Sequence, residues 1–185
     1  EFNPIETIET NVNGIINLIK TSMKSPVEKI INISTDKSVE PTTLYGTTKL
    51  LSEVLITWSG THLPKTKFGT IRFGNIIESN GNVFEIWKDE KRNGKPLSIT
   101  NPNMTRYFLH IDEAVDFILK CIPLIERGKI FVPKMKLYKL KELAAKISTK
   151  HKIIGKRRGE KLQEKLLSEH EKQIALEKKD MWIIK

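Results

Sequence analysis

Apolar positions along the chain fall into two alternating patterns. From Pro4 to Lys24, Ile5, Ile8, Val12, Ile15, Ile16 and Ile19 recur at three-and-four spacing, which predicts a helix that Pro26 ends. Val27–Ile33 is a short apolar run suited to a strand covered on both faces. Helical spacing returns over Leu44–Trp58, followed by a strand over Phe68–Phe73, a helix over Val83–Arg92 and a strand over Leu97–Ile99. Asp112–Ile125 reads as a helix opened by Asp112 as its cap, with Glu113 and Asp116 toward the positive end of its dipole. Beyond it come a strand at Ile130–Val132, a helix at Leu140–Ile147 and a strand at Ile153–Ile154. A charged helical stretch from Gly159 to about Lys179, broken near Ser168, leads to a last strand at Trp182–Ile184. Alternation of this kind predicts an α/β fold with a parallel sheet.

Composition narrows the class. With 38% hydrophobic and 29% charged residues over 185 positions, the chain has the balance of a folded globular protein rather than a disordered one. No apolar run approaches a membrane span, and the first residues carry no basic-then-apolar leader, so a cytoplasmic protein is expected. The single cysteine, Cys121, sits in the apolar run Phe117–Ile122, excludes an internal disulfide and fits a reducing compartment. The net charge of +10 is local: it arises wholly from Gly128 onward, where seventeen basic residues face seven acidic ones. This excess reads either as an anion site or as a lysine-rich solvated face. Lys134, Lys136, Lys139 and Lys141 lack the aromatic interleaving of a nucleic-acid platform, and no nucleic-acid partner is expected.

The chemistry concentrates between Thr35 and Lys49. Tyr45 and Lys49 are four apart, so on a helix they share one face, and an ammonium near a phenol favours the phenolate. Taken alone, the spacing describes a surface tyrosine with an exposed lysine better than it describes a site. Thr35-Asp36-Lys37 lies at the carboxyl end of the preceding strand, the edge at which open α/β sheets bind ligands, and its Asp beside a Lys supplies a proton donor and an acceptor. The glycines at 69, 74, 81 and 94 form no dinucleotide-binding fingerprint. His62, His110, His151 and His170 show no ligand spacing, and no metal site is expected. Phe68, Phe73 and Phe131 read as core rather than as a stacking platform.

In their order along the chain, several pieces carry a resemblance: Asn11-Val12-Asn13-Gly14, Ser34-Thr35-Asp36-Lys37 with Pro41, Leu44-Tyr45-Gly46-Thr47-Thr48-Lys49, and Arg72-Phe73-Gly74-Asn75. Ile99-Thr100, Met104-Thr105-Arg106-Tyr107, Ile130-Phe131-Val132-Pro133-Lys134 and the run from Ile154 to Leu162 with Arg157-Arg158-Gly159-Glu160-Lys161 continue it. Together they resemble the extended short-chain dehydrogenase/reductases, and among them the inverting UDP-N-acetylglucosamine 4,6-dehydratases of the polysaccharide biosynthesis family. The resemblance implies a Rossmann-like parallel sheet lacking its first strands, with something on the order of 100 residues of a complete member preceding Glu1. It divides the chain into residues 1–75, the back half of a dinucleotide-binding domain, and residues 76–185, a smaller and mainly substrate-binding α/β region with elements returning to the sheet. A chain of this extent is expected to be an incomplete, inactive fragment.

The same resemblance implies an NADP- or NAD-dependent lyase acting on a UDP-N-acetylhexosamine in glycan biosynthesis, homo-oligomeric when full length. Tyr45 would take the proton of the sugar 4-hydroxyl as hydride leaves C4, and Lys49 would hold the nicotinamide ribose. The 4-ketone acidifies the C5 hydrogen, which Lys37 would remove while Asp36 protonates the departing 6-hydroxyl and Thr35 hydrogen-bonds the reacting hydroxyl. Hydride return to C6 and reprotonation of C5 on the other face give inversion. Asn75 would contact the substrate or else cap a turn, Arg106 and Arg157 would neutralise the diphosphate, and Glu160 would bind the ribose or uracil side. Asn11 and Gly14 read as helix packing. Two departures stand out: Arg158 occupies a position where the family has proline, and Glu40 one where a small or amide residue is usual. A UDP-sugar 4-epimerase, which needs no Asp36–Lys37 pair, and a non-catalytic basic binding module are the competing functions.

Overall fold

The computed structural model describes residues 3–77, 79 and 81–185. Its elements are α1 (Pro4–Ile8), a π turn (Glu9–Asn13), α2 (Gly14–Lys24), β1 (Lys29–Thr35), a 3-10 turn (Asp36–Ser38), α3 (Leu44–His62), β2 (Lys67–Phe73) and β3 (Asn75–Ile76). There follow α4 (Val83–Arg92), β4 (Leu97–Ile99), β5 (Thr105–Leu109), α5 (Ile111–Cys121) and β6 (Ile130–Pro133). The chain closes with β7 (Lys136–Lys139), α6 (Leu140–Ala145), β8 (His151–Ile153), α7 (Glu169–Ile174), β9 (Leu176–Glu177) and β10 (Met181–Ile184). Two compact units form, one from residues 1–73, 115–134 and 165–185, the other from residues 74–114 and 135–164.

The first unit is built on a five-stranded sheet in the order β1-β2-β6-β10-β9. β1, β2 and β6 are parallel, with Thr35 opposite Phe73 at their carboxyl ends, and β10 and β9 close the sheet antiparallel. This is the expected Rossmann-like α/β arrangement. β2 is buried from Phe68 to Phe73, as a strand covered on both faces must be. Ile19 of α2, Ile56 of α3 and Phe68 form an apolar cluster with Ile15, Ile30, Leu55 and Leu63 around them. Cys121 is fully buried, and burial, only partly offset by Lys120 and reinforced by Asp180, pushes its thiol up to about 12.

The second unit carries β3-β5-β7 as one small sheet and the parallel pair β4-β8 as another. Its core gathers Trp87, Leu97, Ile99, Met104, Phe108, Leu140 and Ala144. Trp87 donates its indole N–H to the Ser98 carbonyl at 2.8 Å, so the largest core side chain also satisfies its polar atom.

Three expectations from the apolar pattern are corrected. The Pro4–Lys24 helix is interrupted by the π turn, whose extra residue swings Asn11 to donate to Thr48 Oγ1 of α3 at 3.0 Å. Asp112 lies inside the first turn of α5 rather than capping it, because Glu113 accepts the His110 N–H at 2.7 Å. The stretch after Gly159 is largely irregular, and only α7 is helical there, opened at Ser168 by a reciprocal bond with Glu171. The lysine-rich segment after Pro133, to which the apolar pattern assigns no element, contains β7, held by antiparallel pairing to β5.

Candidate active site

Thr35 ends β1, and the chain turns at once through Asp36–Ser38, with Thr35 Oγ1 accepting the Lys37 N–H at 3.4 Å. Asp36 is fully buried. Its Oδ1 accepts the Thr35 hydroxyl at 3.0 Å and the Lys37 ammonium at 3.0 Å, and its Oδ2 is buried without a hydrogen-bond partner. A buried carboxylate oxygen left unbonded is costly, so this turn carries a polar group that the fold itself does not satisfy. Lys37 keeps about a third of its side chain exposed.

The turn is pressed against α3. A Cβ at Gly46 would overlap the Lys37 carbonyl oxygen, so only glycine lets the helix approach this closely. Thr43 caps α3 by accepting the Gly46 N–H at 3.2 Å, and Tyr45 and Lys49 follow one turn apart. Lys49 donates to the Ile33 carbonyl of β1 at 2.6 Å. Burial holds its pKa below the usual lysine value, with Glu53 opposing. The Tyr45 pKa is raised, chiefly by burial of the phenol; Lys37 pulls it down and Asp36 pushes it up. The expectation of a phenolate favoured by Lys49 is therefore corrected: desolvation outweighs the cations, and the cation acting on Tyr45 is Lys37.

Thr35, Asp36, Lys37, Tyr45 and Lys49 thus fall in the first unit, around the carboxyl end of β1. Asn75, Arg106, Arg157 and Glu160 fall in the second. Asn75 donates to the Tyr107 carbonyl at 3.1 Å, joining β3 to β5. Arg106 is buried; it donates to the Thr105 carbonyl at 2.7 Å, to the Leu162 carbonyl at 3.3 Å and to Glu160 Oε1 at 3.5 Å. Glu160 Oε2 accepts the Arg157 N–H at 3.0 Å, while the side chains of Lys156, Arg157 and Arg158 are exposed. Glu160 therefore braces Arg106 and the 157–160 turn, a role that residue spacing does not reveal.

A further polar cluster was not among the sequence candidates. Arg72 of β2 is buried and spends all five N–H bonds. Nε and Nη2 bond Glu53 at 3.0 and 2.7 Å, Nη1 and Nη2 bond Glu171 at 3.0 and 2.8 Å, and Nη1 also reaches the Leu166 carbonyl at 2.9 Å. Burial alone would lower the Arg72 pKa, but the bonds and charges of Glu53 and Glu171 raise it above its ordinary value. A charged residue between Ile71 and Phe73 in an apolar strand is the signal that foretells such partners.

A Rossmann-like sheet whose first carboxyl edge bears Thr-Asp-Lys beside a Tyr-x-x-x-Lys helix defines a class, the short-chain dehydrogenase/reductase type. Within it, residues 1–185 match the family described as polysaccharide biosynthesis protein, and the chain belongs to that family. It is similar to an uncharacterized membrane protein of Methanocaldococcus jannaschii, 41% identical over 100% of this chain and 60% of the relative. It is also similar to the inverting UDP-N-acetylglucosamine 4,6-dehydratase of Campylobacter jejuni, 36% identical over 100% of this chain and 57% of that enzyme. Among solved structures, Pen from Bacillus thuringiensis superposes with a TM-score of 0.93 at 29% identity, over 100% of this chain and 60% of that one. The chain spans 57–60% of the length of these relatives. Among the described residues, no helix is long and apolar enough to cross a membrane.

Proposed function

We propose that these residues belong to a nucleotide-sugar dehydratase that converts a UDP-N-acetylhexosamine to its 6-deoxy-4-keto product with inversion at C5, in the cytoplasm. The observation that carries this reading is the buried Asp36, joined at 3.0 Å to the partly exposed Lys37, with one Asp36 oxygen left unbonded. Simple epimerisation at C4 has no use for such a pair, whereas elimination across C5 and C6 needs both an acid and a base.

The donor set of Tyr45 and Lys49 fits the ribose-and-nicotinamide half of an NADP or NAD cofactor: a half-buried ammonium and a phenol on one helix face, above the carboxyl end of β1. Bound there, the cofactor would supply reversible hydride acceptance. Tyr45 takes the 4-hydroxyl proton, and the nearby Lys37 charge favours the phenolate that burial disfavours. The proton shared across the 3.0 Å Asp36–Lys37 bond then passes to Asp36, which leaves Lys37 neutral to remove the C5 proton while the Asp36 carboxyl protonates the leaving 6-hydroxyl and Thr35 orients the reacting hydroxyl group. Asn75 contacts the sugar, Arg106 and Arg157 meet the diphosphate, and Glu160 meets the ribose or uracil side. The protein acts as a homo-oligomer, a reading supported by Leu51, Val54 and Trp58, which leave an apolar stripe exposed along α3.

The test is the reaction of the protein carrying these residues with UDP-N-acetylglucosamine. A product lighter by one water and bearing a 4-ketone is expected, and Lys37→Met should reduce its formation by roughly a hundredfold or more. An epimer retaining the 6-hydroxyl, or undiminished dehydration by Lys37→Met, overturns the reading.

A further inference from the structure

The buried Arg72 cluster is linked to the acid–base turn. The Ser38 hydroxyl lies 2.8 Å from Glu53 Oε1 and 2.7 Å from the Thr35 carbonyl, so the last residue of the turn sits between a carboxylate of α3 and the end of β1. Glu53 cannot follow a displaced Ser38, since both its oxygens are held by Arg72. Arg72 cannot rotate either. Every one of its N–H groups is bonded, and Glu171, its second carboxylate, is itself locked to Ser168 through the Ser168 N–H at 2.7 Å and the return bond to the Ser168 hydroxyl at 3.1 Å. Ser38, Glu53 and Arg72 are each no more than 2% exposed. The turn is therefore gripped twice from α3, by the Glu53 carboxylate at Ser38 and by the close backbone approach of Gly46 at Lys37.

We infer that Ser38, Glu53 and Arg72 form a positioning chain that fixes Asp36 and Lys37 relative to Tyr45 and Lys49. None of the three touches substrate; each acts through the turn. A buried ion-pair cluster adds little net stability compared with an apolar replacement, so its structural yield is location rather than free energy. Acid–base chemistry demands that location, because reacting groups tolerate only about 0.5 Å of error. Glu53 has a second effect on the same site, since its charge also supports the protonated form of Lys49 one helical turn away. The inference rests on the reading of Asp36 and Lys37 as the acid–base pair.

The experiment compares wild type, Ser38→Ala, Ser38→Thr and Lys37→Met in the protein carrying these residues. Amide exchange at Lys37 and Val39 is followed against Phe68 and Ile71 of β2, alongside dehydration kinetics. Ser38→Ala is expected to speed exchange at Lys37 and Val39 about tenfold with the β2 amides unchanged. It should also lower kcat about tenfold at constant KM, and Ser38→Thr, which keeps the hydroxyl, should restore both. Unchanged exchange in the turn, an equal acceleration of the β2 amides, or a kcat that does not fall overturns the positioning role. Lys37→Met decides the parent reading separately: it should lower dehydration by roughly a hundredfold or more while the exchange pattern of the turn stays as in wild type.

Discussion

The two units hold their candidate residues in opposite ways. In the first, Asp36, Ser38, Glu53 and Arg72 are almost without solvent contact, and each is tied to at least one other buried group. In the second, Arg106 is buried, but the residues around it open outward: Glu160 is partly exposed, and Lys156, Arg157 and Arg158 lie at the surface between Gly155 and Gly159, both in the left-handed region. Proton transfer requires fixed donors and acceptors, and a buried lattice supplies them at the cost of desolvation. Under the proposed function, the second arrangement would serve capture of a flexible anion, for which long exposed side chains on a glycine-flanked turn supply reach and charge.

That contrast can be broken most severely at its centre. Arg72→Met leaves Glu53 buried and both Glu53 and Glu171 without their counter-charge, and urea denaturation should register a loss of about 3–5 kcal/mol. Arg106→Met removes a 3.5 Å ion pair whose carboxylate water can still reach, and should cost about 1–2 kcal/mol. Equal losses would erase the distinction between the units.

A smaller effect is pH-dependent. Burial would raise the Glu171 pKa, but the Arg72 bond and charge, with Ser168, hold it below the ordinary value of about 4.5. A folded-state pKa below the unfolded one contributes stability that is present above pH 4.5 and is lost as pH falls through the folded value. Glu171→Gln should therefore flatten the acid limb of a stability-versus-pH curve below about pH 4.5, and an unchanged limb would assign it to other carboxylates.

The smallest effect concerns Glu40, which follows the acid–base turn with φ of 48°, a conformation that costs a β-carbon-bearing side chain other than asparagine or aspartate. Its carboxylate meets Lys165 at 3.0 Å, an exposed pair of little worth. Glu40→Asn should raise the Tm by about 2 °C in a thermal melt; a fall would show that the ion pair outweighs the backbone strain.

Much of the fold is legible in the chain because burial imposes periodicity. α4 and β4 occupy the predicted ranges because their apolar positions recur at the period of their own element. Where backbone pairing or a polar side chain decides, periodicity fails: β7 alternates too little to be seen, the segment after Gly159 has helix-forming residues but no apolar stripe to bury, and Glu113 displaces Asp112 from the end of α5.

For the candidate site, the place of Asp36 and Lys37 at a strand end and the spacing of Tyr45 and Lys49 on one helix face drew attention to each other, neither being decisive alone, and the family resemblance added Thr35. Partners far apart in the chain left no such trace. Arg72 meets Glu53 nineteen positions back and Glu171 ninety-nine positions on, and Ser38 meets Glu53 fifteen positions on. The direction of the Tyr45 pKa was likewise out of reach, since helical spacing points to Lys49 whereas burial raises the value and Lys37 lowers it. Chemistry within a few residues is written in the order of the chain, whereas desolvation and long-range pairing depend on which surfaces lose water when the sheet and helices close over them.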